Sequence, residues 1–165
     1  MTTSRYFSQI PTSDPEPSDA AKGHAGNSTI RAGLVGGLFA TLVMTVFRAP
    51  IARSLPPTAE ALGQYLDGDP EDYRVASLLL HALYGTVGGL FFAPLFSLVV
   101  GETDEPETVG LFVGAAYGLV LSILGERALL SRLLGRNLDT DESAVFHAGH
   151  LVYGLALGVW TGSRS

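Results

Sequence analysis

The chain has 165 residues, a net charge of −6 and a mean hydropathy of +0.30, and 47% of its residues are hydrophobic. Only 16% are charged, against about 25% in an average soluble domain, and cysteine is absent. This composition excludes a disordered chain, a nucleic-acid binder, a disulfide-stabilised domain and an ordinary soluble globule.

The first predicted element is a disordered polar tail at residues 1–29. It places Pro11, Pro15 and Pro17 among Ser, Thr, Asp and Glu, a composition that buries too little apolar surface to fold. A signal peptide would carry its apolar block near the start, and here that block begins near Ile30. We therefore expect no signal peptide, a membrane domain over 30–162 and a short tail at 163–165.

Four stretches without a formal charge follow, and together they hold 82 residues. A helix of about 20 apolar residues crosses about 30 Å of hydrocarbon. A soluble bundle would need a polar face on every helix, and the 27-residue second stretch has none. We predict an all-α fold, a bundle of four transmembrane helices at about 30–47, 75–100, 108–124 and 144–160.

The loops between these helices predict an orientation. The first and third loops hold six arginines, whereas the segments flanking the termini hold Lys22, Arg31 and Arg164. The positive-inside rule then places the long loops in the cytoplasm and both termini outside. The stretch from Glu126 to Arg136 is either a basic amphipathic surface helix or a continuation of the third helix.

An internal repeat divides the membrane domain in two. A shift of 77 residues places the first predicted helix on the third, and a shift of 69 places the second on the fourth. The string His-x-x-Tyr-Gly-x-x-x-Gly occurs once in each half, at His81 and at His150. We expect two helical hairpins related by an axis along the membrane normal. Substitution of either histidine by alanine should then have similar effects.

Small residues spaced by four occur in every predicted helix. Because lipid gives helices no hydrophobic reason to associate, such positions allow the close backbone contact that holds helices together. We expect helix packing at Gly33, Gly37, Gly85, Gly89, Gly110, Gly114, Gly118, Gly154 and Gly158.

A cluster of polar side chains is predicted near the loop end of the bundle. Ionisable groups at membrane depth tend to face the bundle interior. The expected members are His81, Tyr84, Glu126, His147, His150 and Tyr153.

Three interpretations of this cluster stay open. The side chains could hydrogen-bond across helices and orient the two halves. They could instead bind a haem between His81 and His150, or a divalent metal with His147 and Glu126. A third interpretation is a path for protons or small solutes. Because nucleophile-elbow, phosphate-loop and HExxH motifs are missing from the sequence, we expect no enzyme and predict no cofactor.

The chain resembles a family of small, uncharacterised multipass membrane proteins of halophilic archaea. The residues that carry the resemblance are the segment Ala40–Thr45, the proline-containing first loop and the His81-x-x-Tyr-Gly string. An acidic chain with a single lysine is also typical of a high-salt cytoplasm. The resemblance implies no activity. We expect a membrane subunit for packing or partner binding, in contact with the lipid bilayer and with a second copy or another membrane protein.

Overall fold

The structure, a computed structural model, describes residues 19–51 and 56–165, with side chains described from residue 26 onward. A 3₁₀ turn at Pro70–Tyr73 leads into the third helix, and a π-helical segment at Gly125–Leu133 continues the fourth. No strand occurs in the described ranges, so the predicted all-α fold is confirmed. The helices are α1 (Asp19–Arg48), α2 (Pro57–Leu66), α3 (Arg74–Val100), α4 (Pro106–Leu124) and α5 (Thr140–Gly162).

Four helices are long and apolar enough to cross a membrane, as the charge-free stretches predict. They are Gly26–Arg48, Pro70–Val100, Pro106–Leu133 and Thr140–Gly162. The span Pro106–Leu133 consists of α4 and the π-helical segment. Of the two alternatives for the stretch after Glu126, the structure therefore shows a continuation of the helix.

The amino-terminal boundary differs from the expected one. Residues 19–29, placed in a disordered tail by their polarity, belong to α1, while residues 1–18 lie outside the described part. Hydropathy identifies the length of helix that can enter lipid. Polar residues such as Ser28 and Thr29 can extend that helix beyond the hydrocarbon.

The helices pack as two pairs. We call α1 with α3 the first hairpin and α4 with α5 the second hairpin. The two hairpins meet mainly through α1 and α5, and contact between α3 and α4 is slight. The buried core between them consists of Ala40, Met44, Phe92, Phe96, Tyr153 and Leu157.

Glycines let the backbones approach closely within each hairpin. A methyl group at Gly37 would lie 2.5 Å from the Gly85 carbonyl oxygen, and one at Gly33 would lie 2.6 Å from that of Gly89. The second hairpin is tighter still at the corresponding contacts. The facing pairs are Gly33–Gly89 and Gly37–Gly85 in the first hairpin, and Gly110–Gly158, Gly114–Gly154 and Gly118–His150 in the second.

The two long loops meet at one end of the bundle. Arg136 binds Glu60 of α2 and, at 2.8 Å, Glu142 of α5. Burial lowers the pKa of this guanidinium. Hydrogen bonds and negative charge from Glu60 and Glu142 raise the pKa by more than burial lowers it, so the net shift is upward. Thr58 of α2 hydrogen-bonds Ser77 of α3 at 2.6 Å between hydroxyl oxygens. These contacts hold α2 against the end of both hairpins.

Candidate functional site: the histidine and tyrosine cluster

Two tyrosines of the second hairpin donate hydrogen bonds to backbone carbonyls of α3. The Tyr153 hydroxyl lies 2.6 Å from the Gly85 oxygen, and the Tyr117 hydroxyl lies 2.8 Å from the Gly88 oxygen. A helical carbonyl has a second lone pair to accept such a bond. Tyr117 was not predicted as a cluster member, because the sequence does not tell which face of α4 meets α3.

His150 is buried beside Tyr153, one turn away on α5. Its Nδ1 donates to the Phe146 carbonyl oxygen at 2.9 Å. The centroids of the His150 and Phe146 rings lie 4.4 Å apart. His81 is half-buried on α3. Tyr84, one turn from His81 on the same helix, borders the same small cavity as His150. The structure thus brings the two His-x-x-Tyr-Gly strings to one region of the bundle.

His147 belongs to a separate polar network inside the second hairpin. Its Nδ1 lies 2.8 Å from the Ser122 hydroxyl and its Nε2 lies 2.8 Å from a Glu126 carboxylate oxygen. Ser143 donates to the other Glu126 oxygen at 2.9 Å. The Ser122 oxygen also lies 2.7 Å from the Leu119 carbonyl, to which it can donate. This network joins α4, the π-helical segment and α5.

The order serine, histidine and carboxylate in this network is that of a catalytic triad. Ser122, however, is fully buried in α4, so no substrate can reach its hydroxyl in this structure. Ser122 was not predicted as a site residue, because the sequence around it lacks the strand-to-helix turn that presents a nucleophile. Its contact with His147 connects α4 with α5, whereas its contact with Leu119 lies within α4.

The space inside the cluster is small. A cavity of about 10 Å³ touches His150, Tyr153 and Tyr84. That volume is about the least that can hold one water molecule, whereas small-molecule sites have about 300–1,000 Å³. Tyr84 borders this cavity but is 49% exposed, whereas Tyr153 is 3% exposed.

A larger cavity of about 370 Å³ opens at the loop end. Arg48, Arg136, Glu142 and Phe146 are among its lining residues. The Arg48 Nε is buried and finds no hydrogen-bond partner among the residues that the structure describes. Phe146 lines this cavity, and its ring also packs on the His150 imidazole.

The predicted cluster therefore divides into three parts. His150 and Tyr153 lie inside the bundle, His147 and Glu126 bind each other within the second hairpin, and His81 and Tyr84 are more exposed on α3. Among the side chains described, no three His, Cys, Asp or Glu residues lie close enough together to hold a metal ion.

No family model, no curated protein and no solved structure matches this chain. The resemblance to halophilic archaeal membrane proteins therefore stays a prediction. The fold itself defines a broad class: four helices of membrane-spanning length and apolarity, as in multipass membrane proteins.

Proposed function

We propose that the chain is a multipass membrane protein with a non-enzymatic role. In this role, a compact four-helix unit packs against another membrane protein or a second copy of itself. The observation that carries the proposal is the backbone contact between facing glycines in both hairpins. Close contact of this kind stabilises helix pairs in lipid and leaves about 10 Å³ beside the buried histidine.

The outer surface supports a membrane location. Large apolar side chains on α3 and α4 are more than half exposed, a distribution that would promote aggregation in water. In a bilayer these side chains would contact lipid or a partner helix. On these two helices, the most exposed are Val75, Leu79, Phe91, Leu98 and Phe112.

The proposal includes a duplication and an orientation. The pair Gly33–Gly89 corresponds to Gly110–Gly158 under the two sequence shifts, and both pairs are in contact. This correspondence supports two copies of one hairpin. The six loop arginines favour long loops in the cytoplasm and termini outside, and the acidic, lysine-poor composition favours a high-salt source.

Vesicle flux tests the closed interior. The full chain is reconstituted in liposomes that enclose a pH-sensitive dye, and an acid pulse is applied. We expect the internal pH to change at the rate of protein-free liposomes. A faster change that His150→Ala abolishes would contradict the proposal.

A second candidate function is proton, solute or cofactor binding at the histidines. The observation in its favour is the loop-end cavity of about 370 Å³, whose lining residue Phe146 packs on the His150 ring. A Soret absorption band in the purified protein, or a stoichiometric metal by elemental analysis, would favour this candidate. We expect neither.

Self-association distinguishes the two kinds of partner. Light scattering of the detergent-purified chain, corrected for bound detergent, gives the protein mass of the particle. A value of about twice 17.4 kDa or more would assign the apolar outer faces to a second copy. A monomer would leave them for a different membrane protein.

A further inference from the structure

A second cleft lies at the opposite end of the bundle, between the segment of α1 that begins at Ser28 and the residues that follow α5. It has a volume of about 690 Å³, within the range of small-molecule sites. Its deeper wall is apolar and comes from α1, α3 and α5. The apolar lining residues are Ala32, Val35, Ala93, Phe96, Val100 and Trp160.

The rim of this cleft is cationic. Arg31 of α1 and Arg164 beyond α5 both line it. The Arg164 guanidinium lies 3.5 Å from the centre of the Trp160 ring, and it donates to the Trp160 carbonyl at 3.1 Å. No ion pair joins Arg31 or Arg164 to a carboxylate in the part of the chain described. In a chain of net charge −6, these two arginines give the cleft a local positive charge.

The position of the cleft indicates that it lies at the level of one bilayer surface. Its α1 lining runs from Ser28 to Val35, which is about 10 Å of helix at 1.5 Å per residue. Tryptophan and arginine are typical of the boundary between headgroups and hydrocarbon. The Trp160 ring, which lines the cleft, also packs against Gly36 of α1 and stacks on Phe39.

We propose that the cleft binds an anionic membrane phospholipid. The phosphate lies between Arg31 and Arg164, and the upper part of a hydrocarbon chain lies along Val35 and Phe96. The positive charge of the two arginines favours a negatively charged headgroup. The apolar wall favours a ligand with a hydrocarbon chain over free phosphate. This inference rests on the proposed membrane location but goes beyond the packing role.

Trp160 is the chain's one tryptophan, so its fluorescence reports directly on the cleft. The full chain is reconstituted in phosphatidylcholine vesicles that contain a fixed fraction of bromine-labelled lipid, either phosphatidylglycerol or phosphatidylcholine. Bromine quenches tryptophan on contact. We expect stronger quenching by the anionic lipid. The emission of each sample is compared with that of vesicles of the same lipid composition without bromine.

The site variant is Arg31→Gln/Arg164→Gln. An arginine near an anionic headgroup contributes about 1 kcal/mol, so the relative affinity for anionic lipid should fall about fivefold for each arginine removed. The matched control is Arg127→Gln/Arg132→Gln, which removes the same charge from exposed positions at the loop end. We expect this control to keep the preference of the original chain.

Three results would overturn the assignment. Equal quenching by both lipids in the original chain would show no anionic preference. An unchanged preference in the site variant would exclude the arginine rim, and an equal loss in the control would show non-specific attraction. Flotation of the same vesicles separates this test from the proposed function: protein that fails to float contradicts the membrane location itself.

Discussion

Tyr84 and Tyr153 occupy matching places in the two His-x-x-Tyr-Gly strings, yet the structure treats them differently. Tyr153 is buried and donates to the Gly85 carbonyl across the interface between the hairpins. Tyr84 is half exposed at the edge of the small cavity. The histidines differ in the same sense, since His150 is buried and His81 is half-buried.

The difference arises from how the hairpins meet. An exact twofold axis would require α4 to pack along α3 as closely as α1 packs along α5. The α1–α5 contact is much more extensive than the α3–α4 contact. Helix α5 therefore lies between two neighbours, while α3 keeps one side open. Matching sequence positions can share a depth along the bundle without sharing an environment.

The glycine contacts are where the two halves are most alike, so their disruption should have the largest effect. Gly114→Val and Gly37→Val each place a branched side chain against a carbonyl of the facing helix, at Gly154 and Gly85 respectively. We expect each substitution to lower the free energy of unfolding by about 3 kcal/mol, measured by detergent-induced unfolding. Gly26→Ala is the control, because nothing lies within 4 Å of that position. Sensitivity in one hairpin alone would contradict the shared packing mode.

Substitution of the two histidines should lower the free energy of unfolding by different amounts in the two hairpins. His150→Ala removes a buried ring that packs on Phe146, and we expect a loss of about 2 kcal/mol. His81→Ala acts at a half-buried position, and we expect a loss below about 1 kcal/mol. This expectation replaces the equal effects that the repeat alone predicts. Equal unfolding midpoints for the two variants would restore the symmetric interpretation.

The Arg136 contacts test whether the loop end holds both halves together. Arg136→Gln removes its ion pairs with Glu60 and Glu142, and we expect a loss of about 1.5–3 kcal/mol. Because the pKa of Arg136 is raised above its ordinary value, its contribution is complete at neutral and mildly alkaline pH and is lost only in strongly alkaline solution. Thermal unfolding at neutral and mildly alkaline pH should thus show the same loss. Arg132→Gln, at an exposed position, is the control and should be close to neutral.

The smallest expected difference isolates one hydrogen bond. Tyr153→Phe keeps the ring and removes the hydroxyl that binds the Gly85 carbonyl. Interhelical hydrogen bonds in membranes contribute about 0.6–1.7 kcal/mol, and we expect a loss of about 1 kcal/mol. Tyr84→Phe should change the unfolding midpoint by much less. A larger effect for Tyr84→Phe would show that the hairpin interface lies elsewhere.

Much of the fold could be predicted from the sequence, because lipid compatibility requires long stretches without charge. The polar start of α1 could not, since hydropathy detects the membrane-crossing length and not the full helix. The proximity of His147 to Glu126 followed from their common level near the loops. Ser122 and Tyr117 were missed because their roles depend on which faces of α4 meet α5 and α3. That choice is made by packing between segments distant in sequence.

The central claim is that the chain crosses a bilayer four times. The absence of native cysteine permits single-cysteine labelling of intact vesicles with a membrane-impermeant maleimide. Four exposed positions serve as probes: Gln64→Cys, Asp104→Cys, Asn137→Cys and Ser163→Cys. We predict that the variants at Gln64 and Asn137 react from one side and those at Asp104 and Ser163 from the other. Reaction at Gln64 and Asp104 from the same side would contradict four crossings.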